Sequence, residues 1–299
     1  MTKFGQAIRF SFFVVMAAFL LGASEPVQVT WELPAGVKTL TVNEYPMAYV
    51  ERGAGPTLLL VHGAVSDYRT FAPQMTSLSP KVQVIAVSLR HYYPERWNGK
   101  GSDFSEKQHA QDLIAFIERL GTGPVYLAAH SRGGMPAILL ARSRPDLVRK
   151  LVLMEPPLKA LHAKGGEDPR VPRWRETVRR FETQSVDAGL EYFIDDVVGP
   201  GTWKALPEDR RQANRDNAWT IAGQLSDSAI ISCADVAGLK VPTLLVDGEK
   251  TTADNRNDLE AAHKCMPYAK RVTIPNAGHG MHRQNPAAFD AALLKFLLD

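Results

Sequence analysis

At 299 residues, with 45% hydrophobic and 22% charged side chains, the chain has the balance of a folded globular protein. Its length lets it bury about three quarters of its unfolded surface. Its 22 Gly, 20 Pro and 2 Cys exclude collagen-like, mucin-like and disulfide-scaffold classes, and a net charge of +3 gives no reason to expect nucleic acid as a partner.

The first 23 residues read as a signal peptide. Lys3 and Arg9 form a positive start, Phe10 to Leu21 is apolar, and Leu21-Gly22-Ala23 offers small residues for cleavage. The apolar run is shorter than the about 20 residues of a spanning helix, so stable membrane insertion is not expected after cleavage. An uncleaved membrane anchor is the lesser alternative. Loss of Lys3 and Arg9 lowers the charge to +1. Export, to a periplasm or the medium, would place Cys233 and Cys265 where they can pair, although two buried thiols fit the sequence equally.

Beyond the leader, Val37 to Asn43 and Met47 to Glu51 alternate around Glu44-Tyr45-Pro46, which predicts an antiparallel hairpin. Short apolar runs follow at Thr57–Val61, Val82–Val87, Val125–Ala129, Leu151–Met154, Thr243–Val246 and Arg271–Ile274, the pattern of strands buried on both faces. Helical spacing marks Ser105–Leu120, Met135–Arg142 and Ala287–Leu298. Such alternation predicts an α/β fold, a mostly parallel sheet with helices on both faces. From 157 to 238 the β runs stop and the chain turns helical and rich in Arg and Trp. An insertion of about 80 residues is too long for a plain loop, and it reads as a helical cap. The core is then 24–156 together with 239–299. Arg-rich stretches such as Arg173-Trp174-Arg175 read as solvated helix faces, with contact to an anionic substrate as the alternative, and Gly199-Pro200-Gly201 reads as a hinge.

Three segments carry the chemistry. Val125 to Ala129 runs into His130-Ser131-Arg132-Gly133-Gly134 and then a helix, the strand–turn–helix setting of a nucleophile elbow. The serine there must adopt a strained backbone, so its flanks must be small, as Ala129 and Gly133 are. Leu60-Val61-His62-Gly63-Ala64 ends another strand. If that strand lies beside the elbow strand, the N–H groups of Ala64 and Arg132 can converge as an oxyanion hole. Pro275-Asn276-Ala277-Gly278-His279 follows the last strand, where His279 can act as general base, with His282 as competitor. The Arg132 side chain points either to a charged acyl group or away from it. Tyr92, Tyr93 and Trp97 read as a packed loop or an aromatic contact. No metal-ligand spacing or phosphate loop is present in the sequence, so neither metal nor cofactor is expected.

From about Val37 to Asp299 these landmarks, with Glu155-Pro156 and Val241-Pro242-Thr243-Leu244-Leu245, resemble the α/β-hydrolase fold family. The resemblance implies an eight-stranded sheet with the insertion as lid, and a Ser–acid–His triad in that chain order. Serine rather than aspartate at the elbow points to acyl transfer to water, not dehalogenation or epoxide opening. The acid departs from the common pattern, because Thr251 stands where most members carry Asp. A minority place the acid at the end of the sixth strand, which here is Glu155; a charge closing an apolar strand needs a partner. The triad is therefore read as Ser131, Glu155 and His279, with Glu249 and then Asp254 as alternative acids. Ser88-Leu89-Arg90-His91 is a further departure, expected to alter the pocket wall. The expected function is hydrolysis of a small-molecule carboxylic ester or lactone through an acyl-enzyme. Carbon–carbon bond hydrolysis, or small-molecule binding without catalysis, is the alternative.

Overall fold

The computed structural model describes residues 30–158, 170–225, 227 and 230–299. The expected signal peptide, 1–23, lies outside the described residues. Eight strands form one sheet: β1 Lys38–Val42, β2 Tyr45–Arg52, β3 Thr57–Val61, β4 Gln83–Val87, β5 Val125–His130, β6 Val148–Met154, β7 Thr243–Gly248 and β8 Lys270–Ile274. Their spatial order is β1-β2-β4-β3-β5-β6-β7-β8. β3 to β8 run parallel, and the β1–β2 hairpin joins antiparallel through β4.

The hairpin turns at Asn43-Glu44 rather than at Glu44-Tyr45-Pro46. Both residues have positive φ, 45° and 60°, the twist that a two-residue hairpin loop requires. Tyr45 and Pro46 therefore belong to β2, and Pro46 pairs only with Thr41 of β1, beyond the stretch bonded to β4.

Alternate residues of each central strand enter different cores, the expected result when both faces of a sheet are covered. Leu59, Val61, Leu127 and Leu153 pack with Phe116 of α2 (Glu106–Leu120), Ile138 of α3 (Gly134–Ser143) and Leu259 of α10 (Ala253–Cys265). Leu58, Leu60, Ala128 and Val152 pack on the other face, near α1 (Ala72–Ser77), with Phe289 and Leu293 of α12 (Pro286–Leu298). Ser105 caps α2 by accepting the Gln108 N–H, and Gly121 closes it in the left-handed region.

Between β6 and β7 the described residues form α4 (Val171–Thr183), α5 (Val186–Val198), α6 (Thr202–Ala205), α7 (Glu208–Asp216), α8 (Thr220–Gln224) and α9 (Cys233–Ala237). Trp174, Phe181, Leu190, Phe193, Trp203 and Ile221 make a separate apolar cluster that also takes in Val65, from the loop after β3. Ile231 and Val236, by contrast, pack in the main core. The Gly199-Pro200-Gly201 segment is fastened by the Asp195 carboxylate, which accepts the N–H groups of Gly201 and Trp203.

A Cys233–Cys265 disulfide ties α9 to α10 across 32 residues of sequence. Closing a loop of that length restrains the unfolded chain by about 3–4 kcal/mol. Urea unfolding of Cys233→Ser is expected to show a lower midpoint than the oxidised wild type, matched by the wild type under reductant. Coincident curves would show that the bond adds no stability.

Candidate active site

β5 ends abruptly. Ser131 sits at φ 50°, in the left-handed region, and opens a short 3-10 turn that leads into α3. Backbone strain of this kind persists only where the surroundings enforce it. Here the β3 loop enforces it: a Cβ on Gly133 would lie 2.3 Å from the His62 carbonyl oxygen, and one on Gly63 would lie 3.0 Å from Ser131 Cβ. β3 and β5 are neighbours with Val61 beside Ala129, so Ala64 and Arg132, each three residues further on, leave the sheet side by side. Both line one cavity with Ser131, Glu155 and His279. His62 locks the loop, its Nδ1–H donating to Gly63 O at 2.8 Å while Nε2 accepts the Leu89 N–H at 3.0 Å.

Glu155, at the end of β6, also has a positive φ, 44°. Its buried carboxylate accepts the Gly248 N–H at 2.9 Å and the Thr251 hydroxyl at 2.8 Å, and its Oε2 lies 2.6 Å from His279 Nδ1. With the proton on Nδ1, the ring of His279 keeps Nε2 as its basic nitrogen. His130 holds the loop from below, its Nε2–H donating to the His279 carbonyl at 2.8 Å. Asn255 of α10 approaches Nδ1 at 3.3 Å and also reaches Thr251.

The structure thus brings Glu155 to His279. Glu249 serves elsewhere: its exposed carboxylate accepts the Asn276 N–H at 2.8 Å, anchoring the loop that leads to His279. Asp254 lines the cavity at the start of α10. His282 is buried, bonded through Nε2 to the Thr70 hydroxyl at 3.0 Å. The Arg132 side chain turns to Glu106, 2.9 Å away.

Arg90 is likewise committed, to Asp112 and Asp103, while Trp97 stacks with both His91 and Phe104. The loop after β4 is a packed structure. In the Arg-rich stretch, Arg179 and Arg180 meet Glu176, and Arg173 meets Asp196.

Residues 58–292 match the model of the alpha/beta hydrolase family. The chain belongs to that family. One relative is a 2-(acetamidomethylene)succinate hydrolase of Mesorhizobium japonicum, 24% identical over 83% of this chain and 90% of its own. Among solved structures, a malate-bound thermophilic esterase from Thermogutta terrifontis superposes with a TM-score of 0.71 at 22% identity, covering 88% of this chain and 97% of its own. An enol-lactonase from Burkholderia xenovorans gives 0.72 at 18%, covering 87% and 100%.

Within this alpha/beta hydrolase fold, sequence reasoning missed α10 and its Asn255, and it gave Thr251 no role beyond that of a misplaced acid. The signal for Thr251 was present: a hydroxyl at the position where relatives place a carboxylate suggests a donor to a carboxylate arriving from elsewhere. It also missed Arg210 and Arg283, both in the cavity wall.

Four buried histidines around the site are held neutral. Burial lowers His62 from its usual 6.5 to about 4. His109, His130 and His282 are pushed well below 6.5, chiefly by burial. The native fold is therefore favoured fully above pH 6.5 and loses ground as pH falls from 6.5 through 4, because the unfolded chain takes up protons first. His62 alone accounts for about 3 kcal/mol. Thermal unfolding from pH 8 to pH 4 is expected to show a steep fall in Tm below about 6.5, reduced in His62→Asn if that variant keeps both loop bonds. A flat profile would show that these rings are not neutral in the fold.

Proposed function

We propose that this hydrolase cleaves a carboxylic ester or lactone with Ser131 as nucleophile. The observation that carries the proposal is the 2.6 Å contact of His279 Nδ1 with the buried Glu155 carboxylate, in a cavity that the strained Ser131 also lines. His279 Nε2 takes the Ser131 hydroxyl proton as the oxygen attacks the carbonyl carbon. The oxyanion is held by the N–H groups of Ala64 and Arg132, each such donor contributing about 3 kcal/mol in the transition state. Glu155 fixes the tautomer and stabilises the imidazolium. His279 returns the proton to the leaving alcohol, then activates water to release the acid and free Ser131. In this reading α4 to α8 serve as the cap over the site.

We also propose export, since the 1–23 segment has leader character and the Cys233–Cys265 bond suits an oxidising compartment.

Ser131→Ala is expected to lower ester hydrolysis by about 10,000-fold or more and to abolish labelling by a fluorophosphonate. Glu155→Gln should cost about 1,000-fold or more, against less than about tenfold for Glu249→Gln. Absence of labelling in the wild type would favour a binding protein, and equal small losses in the two Glu variants would sink the acid assignment. For export, N-terminal sequencing of protein recovered outside the cytoplasm should begin at Ser24; an intact Met1 would refute cleavage.

A further inference from the structure

A guanidinium in a cavity wall is normally matched by a carboxylate, because an unpaired buried charge is costly. Along this cavity Arg69 meets Asp67 and Asp216 at 2.6 and 2.9 Å, Arg132 meets Glu106, and Arg173 meets Asp196. Arg170 donates to the Pro157 carbonyl oxygen. Arg283 breaks this pattern. It stands four residues after His279, on α11 (Met281–Gln284), and lines the same cavity. Its Nε is closed off from solvent without a partner, and among the described residues its guanidinium has no ion pair or hydrogen bond.

The charge that acts on Arg283 most strongly is another cation, Arg210 of α7, also in the cavity wall. Burial, and then Arg210, push the Arg283 guanidinium down to about 10, so it remains charged at neutral pH. Arg210 is poorly matched in turn. Among the described residues its carboxylate contact is Asp209 at 3.9 Å, and Asp209 is 77% exposed to water.

Two guanidiniums that act on each other in the wall of one cavity, one from α7 and one from α11, repel each other until an anion lies between them. Their planar forks match a carboxylate, which each can bind through two N–H groups. We propose that Arg210 and Arg283 form a carboxylate-binding subsite, and that the preferred substrates are esters or lactones bearing a free carboxylate near the scissile carbonyl. The substrate half of this inference rests on the hydrolase reading. The anion site stands on the arginine pair alone. Occupancy would also draw α7 towards α11, so that the substrate's charge helps to close the cap over Ser131.

Calorimetric titration of the wild-type protein with succinate tests the subsite without any turnover. Saturable binding is expected, absent with dimethyl succinate and weakened at least about tenfold in Arg283→Gln and in Arg210→Gln. The second variant sits on a part-exposed helix, so it keeps the test open if the first fails to fold. Succinate binding that is absent, that survives both substitutions, or that is weaker than binding of inorganic phosphate would overturn the carboxylate subsite. Where esters are cleaved, the kcat/KM ratio of an aryl hemisuccinate over the matching aryl butyrate should exceed about ten and fall in Arg210→Gln. A ratio near one in the wild type would overturn the substrate class. Succinate binding without cleavage of either ester would refute the hydrolase reading and leave the anion site standing.

Discussion

A carboxylate at the end of an apolar strand must find hydrogen-bond donors, and the arrangement around Glu155 follows from that need. Two donors come from the end of β7, the Gly248 N–H and the Thr251 hydroxyl, and the third is the His279 ring. Each depends on sheet register. β7 lies beside β6 with Val246 next to Met154, which carries Gly248 to the level of Glu155. β8 lies beside β7 with Ile274 next to Gly248, so the loop after β8 delivers His279 to the same carboxylate. The His130 ring then pins that loop through the His279 carbonyl. A slip by one residue at either strand pair would leave a buried charge unmatched, which makes this cluster a constraint on the fold as well as the basis of the proposed chemistry.

Glu155 illustrates how one strand can supply a charge and its neighbour the donors that satisfy it. Thr251 lies after β7, where relatives of this fold commonly place an aspartate, yet the carboxylate arrives from β6 and takes the Thr251 hydroxyl as a donor. Glu249, close by in sequence, works on the backbone of Asn276 instead. Cation placement follows the same logic of matching in reverse. Most arginines of the cavity wall have close partners; Arg283 has none among the described residues and Arg210 only the exposed Asp209, so a charge supplied from outside would be most strongly stabilised between them.

The architecture and much of the site were legible in the sequence. Continuous apolar runs marked the strands, because a strand covered on both faces has no polar side to show. Ser131, Glu155, Ala64, Arg132 and His279 stood out as candidates because each ends or follows such a run, and the structure lines one cavity with all five. The hairpin turn was misplaced by proline at 46, whose turn preference was overridden by the left-handed pair Asn43-Glu44. Helix α10 was missed because its sequence, Ala253–Cys265, is mostly polar, with Leu259 and Ala262 as its buried apolar contacts.

What the sequence determined by itself was everything set by periodicity and by local backbone demands: the strand and helix alternation and the strained elbow. Which charge meets which was decided only by tertiary structure. Polar contacts join residues 124 positions apart, as His279 and Glu155 are, and a side chain's partner depends on strand order and register that no local pattern encodes. The same holds for a missing partner. Arg210 and Arg283 look like ordinary surface arginines in the chain, and only the fold brings both, from α7 and α11, into the wall of one cavity.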